Sequence, residues 1–153
     1  MNLVIVILAK YLIYVIAALA LVSGWITKSS RRWYLRWLLR LAIALILAYL
    51  SVKLFNDFVP EKRPFIAGNF QPLIDPGSDP SFPSDHATMA AVMATFIWQL
   101  KRSWGIIAFA LAILVGIGRV SAGVHYPWDI AGGLILGIVI AVLTLKLLPR
   151  RSV

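Results

Sequence analysis

Ser81-Phe82-Pro83-Ser84-Asp85-His86-Ala87 closes a polar loop and opens an apolar helix. Proline suits the first turn of a helix, where its missing N–H has no intrahelical partner to lose. Ser84 and Asp85 suit the capping of that turn's free amides. His86 is thereby placed at a helix N-terminus, where backbone N–H groups and the macrodipole favour an anion. A second polar cluster lies further on, at Gly118-Arg119 and His125-Tyr126-Pro127-Trp128-Asp129. These two clusters hold both histidines of the chain.

Around the clusters the chain is apolar. Of its 153 residues, 61% are hydrophobic and 14% charged, and the mean hydropathy is +0.87. Soluble domains are roughly half apolar and about a quarter charged, so this composition is that of a membrane protein. The length predicts a single domain over residues 1–153. Cysteine is absent, which excludes disulfides, thiolate chemistry and cysteine-based metal sites. The net charge is +9, but ten of the fifteen basic residues fall within residues 28–40, 101–102 and 146–151. Such clusters mark the cytoplasmic loops of membrane proteins and argue against nucleic acid as a partner. The first apolar run is too long, and too poor in leading charge, for a cleaved signal peptide.

Residues 3–22 are apolar apart from Lys10, and about 20 such residues cross a bilayer core. Further spans are predicted over residues 38–58, 84–100, 104–122 and 128–148, with a Pro- and Gly-rich polar loop over 59–85. The fold class is therefore all-α, a polytopic bundle of about five transmembrane helices. Lys28 to Arg32, Lys101-Arg102 and the terminal Pro149-Arg150-Arg151 mark the cytoplasmic ends, which puts the N-terminus outside and the C-terminus inside. All six acidic residues (Asp57, Glu61, Asp75, Asp79, Asp85, Asp129) and both histidines then share the outer face. Trp25, Trp33, Trp37, Trp98 and Trp104 gather near the inner boundary, as an aromatic belt does. The Gly-x-x-x-Gly spacing at Gly133 and Gly137 fits either packing within the chain or a dimer face.

Topology brings distant polar groups to one face. Arg63-Pro64 follows the second span, His86 starts the third, Arg119 lies near the end of the fourth, and His125 and Asp129 begin the fifth. Charged groups at membrane depth are expensive and mark functional cavities. Two arginines offer planar forks suited to phosphate oxygens. A histidine near a carboxylate and another on a helix N-terminus are a candidate nucleophile and a candidate proton donor. Pro127 predicts a helix start that sets His125 just outside it and Asp129 in its first turn. The carboxylate can then hold one ring nitrogen and leave the other free. Asp75 and Asp79, among Pro, Gly and Ser, read as turn residues, and Asp57 and Glu61 as solvated rim charges. Buried histidine caps in a membrane scaffold are the competing reading of His86 and His125.

Arg63-Pro64, Pro83-Ser84-Asp85-His86 and Arg119-x5-His125-x3-Asp129 resemble the three signatures of the type 2 phosphatidic acid phosphatase (PAP2) superfamily. The motif-bearing region, residues 53–129, is half of the chain. Pro-Ser-Asp-His-Ala with Gly-Val-His-Tyr-Pro is most similar to bacitracin-resistance-type undecaprenyl pyrophosphate phosphatases. The resemblance implies that His125 is a nucleophile forming a phosphohistidine, that Asp129 orients it, and that His86 protonates the leaving oxygen. It implies that Arg63, Arg119 and Ser84, with backbone amides around Asp85 and His86, hold the phosphoryl oxygens. It implies no metal and no cofactor, and a phosphorylated membrane lipid as partner. The implied location is the bacterial cytoplasmic (inner) membrane, with the site facing the periplasm or exterior. Undecaprenyl pyrophosphate leads as substrate. Phosphatidylglycerophosphate, phosphatidic acid, lipid A phosphate, a phosphotransferase and a non-catalytic phosphate-binding module are the alternatives.

Two positions depart from the family pattern. Asn56 stands where a lysine is usual, seven residues before Arg63, and Lys53, Lys62 and Lys10 are candidates for the missing amine. Gly118 stands where a serine commonly precedes the arginine, which removes a hydroxyl from the phosphate cradle.

Overall fold

The computed structural model describes residues 2–77 and 79–148, and all regular structure among them is helical. Helices α1 (Asn2–Ile26), α2 (Arg31–Phe58), α3 (Pro64–Ala67), α4 (Asp85–Leu100), α5 (Arg102–Ser121) and α6 (Pro127–Leu147) follow in order. The expected terminal marker Pro149-Arg150-Arg151 lies outside the described residues. Four helices, α1, α2, α5 and α6, are long and apolar enough to cross a membrane. The third expected span, α4, has 16 residues and measures about 24 Å. It packs against all four of the others and buries ten residues in an unbroken run from Ala90 to Ile97 together with Ala87 and Thr88. Protein, not lipid, sheathes it.

Local chemistry sets the helix ends. The Ser30 hydroxyl accepts from the Trp33 amide at 3.1 Å and starts α2 seven residues before the predicted apolar boundary. Ser84 is the N-cap of α4, and Pro83 therefore lies just outside the helix and not in its first turn. Pro127 opens α6 as expected, with Tyr126 as its N-cap. The polar loop contains one element not expected from sequence, the single turn α3, which Pro64 begins.

Small residues let the helices approach closely, as they do where lipid supplies no hydrophobic drive between helices. Ala44 and Ala48 on α2, Ala90, Ala91 and Ala94 on α4, Ala108 and Ala112 on α5 and Ala141 on α6 are all fully buried. The aromatic belt loses one member. Trp37 is 1% exposed and packs within the core, stacked on Tyr34 at 6.3 Å and edge-on to Phe96 at 5.9 Å. Gly24 leaves the room for its ring, since a Cβ there would lie 2.7 Å from the Trp37 side chain.

The Gly-x-x-x-Gly pair faces inward. A Cβ on Gly133 would lie 2.7 Å from the Ser84 carbonyl, and one on Gly137 would collide with the Thr88 carbonyl. Both glycines therefore seat α6 on the first turns of α4. Gly137→Val is expected to lower stability by roughly 1–3 kcal/mol through overpacking, read as a fall in Tm of the detergent-solubilised protein. An unchanged Tm with a changed oligomeric state would instead place this pair on an outer face.

Candidate active site

The polar groups meet where the C-terminal ends of α2 and α5 lie beside the N-terminal ends of α4 and α6. The junction is made by backbone: the Ser84 amide donates to the Asp129 carbonyl at 3.1 Å, which ties the cap of α4 to the first turn of α6. The Asp129 side chain is wholly buried. Its Oδ2 accepts from the Tyr126 amide at 2.8 Å, from the Ser81 hydroxyl, and from His125 Nδ1 at 3.3 Å.

That set fixes the imidazole of His125. Its Nε2 lies 3.4 Å from Arg63 Nη1 and 3.3 Å from Arg119 Nη2. A guanidinium only donates, so Nε2 is the acceptor and Nδ1 carries the proton given to Asp129. Burial pulls the His125 imidazole below its ordinary value; Asp129 opposes this, and the Arg119 and Arg63 charges add to it. The neutral ring, with a lone pair on Nε2, is thus the favoured form. Arg63 is equally fixed: Nε donates to the Asp79 carbonyl at 2.8 Å and Nη1 to the Val124 carbonyl at 3.2 Å. Burial lowers its pKa, against the pull of Asp85, Asp79 and Asp129, and it remains a cation.

His86 sits in the first turn of α4. Its Nδ1 lies 2.9 Å from Asp85 Oδ1, which also accepts the His86 amide at 2.7 Å. Nε2 has no hydrogen-bond partner among the described residues, on a ring that is 27% exposed. An open cleft of about 390 Å³ is lined by Lys53, Asn56, Arg63, Asp79, Asp85 and His125, with Tyr49 and Val52 on its α2 wall.

The residues expected from sequence are therefore distributed as follows. Arg63, Arg119, His125 and Asp129 form one bonded group, and Asp85 and Lys53 line the cleft beside it. Ser84 is buried, and its hydroxyl accepts from the Ala87 amide at 3.5 Å as a helix cap. The His86 amide, one of the donors expected around Asp85, is taken by the Asp85 carboxylate. Lys53 Nζ is paired with Asp79 Oδ2 at 2.6 Å. Lys62 is exposed and lines no part of the cleft, and Lys10 is exposed with its Nζ 5.8 Å from the Tyr11 ring.

The structure gives four residues surroundings that the sequence does not disclose. Ser81, without a role in the sequence, donates to Asp129. Asp79 is more than a turn residue, since its carboxylate holds Lys53 and its carbonyl holds Arg63. Both Glu61 carboxylate oxygens accept from Trp128 Nε1 at 3.1 Å. Asn56 is buried, and its Oδ1 has no hydrogen-bond partner among the described residues. Asp75 keeps to its reading, accepting the Gly77 amide at 3.1 Å in a turn, and Asp57 is exposed as a rim charge should be.

Gly118 also acquires a physical reason. A Cβ there would lie 2.6 Å from the Ala9 amide nitrogen and 2.8 Å from the Leu8 carbonyl carbon. The backbone of α1, π-helical over Ile7–Tyr11, occupies the space a serine side chain would need.

Residues 37–152 match the PAP2 superfamily. The bacitracin transport permease protein BcrC of Bacillus licheniformis is 32% identical over 153 residues, covering 99% of this chain and 74% of its own length. The undecaprenyl-diphosphatase BcrC of Bacillus subtilis is 40% identical over 85 residues, covering 54% of this chain and 43% of its own length. Among solved structures, Aquifex aeolicus LpxE is similar at 25% identity with a TM-score of 0.64, covering 93% of this chain and 92% of that one.

The contacts at His125 make a prediction that needs no substrate. The chain has two histidines, so His86→Gln leaves one imidazole to follow by NMR. Because burial and two cations disfavour the charged ring, its midpoint is expected below the ordinary value of about 6.5. A midpoint at or above that value would show that the guanidiniums do not face Nε2.

Proposed function

This chain belongs to the PAP2 superfamily, and we propose that it is an integral membrane lipid phosphatase acting through a phosphohistidine on His125, with undecaprenyl diphosphate as its substrate. The observation that carries the reading is the buried Asp129–His125 pair, which turns Nε2 toward two buried guanidiniums. The match to undecaprenyl-diphosphatase BcrC supports the choice of lipid.

In this reading the phosphoryl oxygens draw the N–H groups of Arg63 and Arg119 away from Nε2. The freed lone pair attacks phosphorus, and the bond from phosphorus to the bridging oxygen breaks. His86 delivers a proton to that oxygen, and Asp129 stabilises the ring as it becomes cationic. Water then attacks the phosphohistidine with its proton passing to His86, the N–P bond breaks, and inorganic phosphate leaves. Ser84 and Asp85 shape the entry to α4, and Ser81 holds the Asp129 carboxylate in register. The guanidiniums supply the positive charge that the equatorial oxygens need, and this convergence of cations opposes a metal ion at the same place.

The site faces the outside of a bacterial inner membrane in this proposal. Its support is the cluster of Lys28, Arg31, Arg32, Arg36, Lys101, Arg102 and Lys146 at the opposite helix ends. In a chain without cysteine, Gln71→Cys is expected to react with an impermeant maleimide in intact spheroplasts, and Ser29→Cys only after lysis. The reverse pattern would invert the orientation.

Phosphate release by the purified protein tests the reaction, over undecaprenyl diphosphate, phosphatidylglycerophosphate, phosphatidic acid and lipid A. Diphosphate turnover unaffected by chelator is expected. His125→Ala should abolish it, and Asp129→Asn should lower kcat by about 10⁴-fold by disturbing the tautomer. His86→Ala should nearly abolish turnover, with some acid-labile phosphoenzyme trapped only on substrates with good leaving groups. Binding of phosphate analogues without turnover on any lipid would favour a non-catalytic module, and preference for another lipid would reassign the substrate.

A further inference from the structure

We infer that Lys53 reads the second phosphate of a diphosphate substrate, and that Asp79 holds its amine aside until that phosphate arrives; the inference rests on the lipid phosphatase reading above. Among the residues lining the cleft, the cations are Lys53 and Arg63. Arg63 is committed, with Arg119, to the attacking nitrogen of His125, and so to the phosphoryl group that is transferred. A diphosphate brings a further phosphate, with its own negative charge and acceptor oxygens, that these two guanidiniums do not serve.

The α2 wall shows what serves it. Asn56, the lining residue nearer the end of that helix, is buried and neutral, and its Oδ1 has no hydrogen-bond partner among the described residues. One turn back along the same wall, Lys53 supplies a cation whose Nζ lies 2.6 Å from Asp79 Oδ2. Side chains 38% and 55% exposed make this a pair in contact with solvent, and such pairs contribute little and exchange readily. A lysine is a compact charge with three donors on a flexible stem, suited to changing partners. Asp79 can release it without disturbing the core of the site, because Arg63 bonds to the Asp79 backbone carbonyl and not to its carboxylate.

The two partners of Lys53 thus differ by substrate. With a monophosphate bound, the amine stays on Asp79 and cancels a carboxylate that would otherwise repel the ligand. With a diphosphate bound, the amine moves to the non-transferred phosphate. Lys53 would then discriminate between substrates.

The test compares farnesyl diphosphate with farnesyl monophosphate, using the full chain in nanodiscs. Lys53→Met is expected to lower the ratio of the two kcat/KM values, diphosphate over monophosphate, by about tenfold, the scale of one charge-assisted contact. Lys53→Arg should restore most of that ratio. Asp79→Asn should lower KM for the diphosphate several-fold, because it removes the competing carboxylate and keeps the carbonyl. Tm measured alongside separates these effects from misfolding. If the unaltered protein turns over the diphosphate but Lys53→Met leaves the ratio unchanged, the inference fails and the proposed reaction stands. If the unaltered protein turns over neither substrate, or only the monophosphate, the diphosphatase reading fails and the inference goes with it.

Discussion

A carboxylate buried inside a bundle of apolar helices must be met by donors, and Asp129 is met by three on one oxygen. A buried, unpaired charge would be prohibitive in that setting. The donors come from separate parts of the chain: the Ser81 hydroxyl from the polar loop, the Tyr126 amide from the cap of α6, and His125 from the segment between α5 and α6. The backbone carbonyl of the same residue accepts the Ser84 amide from the cap of α4. One residue therefore fixes the register between the loop and two helices and orients the imidazole through Oδ2, while its buried Oδ1 has no hydrogen-bond partner among the described residues.

That arrangement depends on helices approaching more closely than side chains normally allow. Gly133 and Gly137 remove the Cβ atoms that would strike the Ser84 and Thr88 carbonyls. The short central helix α4 can then end at the site, with its polar residues served from within. Thr88 donates to the Ser84 carbonyl and Thr95 to the Ala91 carbonyl, each at 2.8 Å. An α4 in lipid would need more length and fewer hydroxyls. Inside the bundle it needs neither, which is why 16 residues suffice.

The parity of the crossings was legible because hydropathy alone marks apolar runs, and parity was enough to gather Arg63, His86, Arg119, His125 and Asp129 at one end. The capping of α4 by Ser84 and the start of α6 at Pro127 were legible from local backbone chemistry. Which face of a helix turns inward was not legible, because runs apolar on every side carry no strong periodicity. Trp37 is buried where a belt position was expected, and the glycine pair of α6 faces α4 for the same reason. Pairings across long separations were equally hidden. Ser81 meets Asp129 across 48 residues and Lys53 meets Asp79 across 26, and no spacing rule links such positions. The place of Gly118 becomes intelligible only once the π-helical turn of α1 is seen against it.

The contacts at Nε2 also bear on how the proposed nucleophile would be kept ready without being wasted. Two guanidiniums facing one ring nitrogen repel a proton from it, so the lone pair persists where solvent alone would partly protonate it. The same two groups cover that lone pair, and the distances of 3.3 and 3.4 Å are long for hydrogen bonds. Phosphoryl oxygens are far better acceptors for a guanidinium than a neutral imidazole is. In the proposed reaction the substrate would therefore uncover the nitrogen that attacks it, and the energy of binding would go into exposing the nucleophile at the moment phosphorus is within reach.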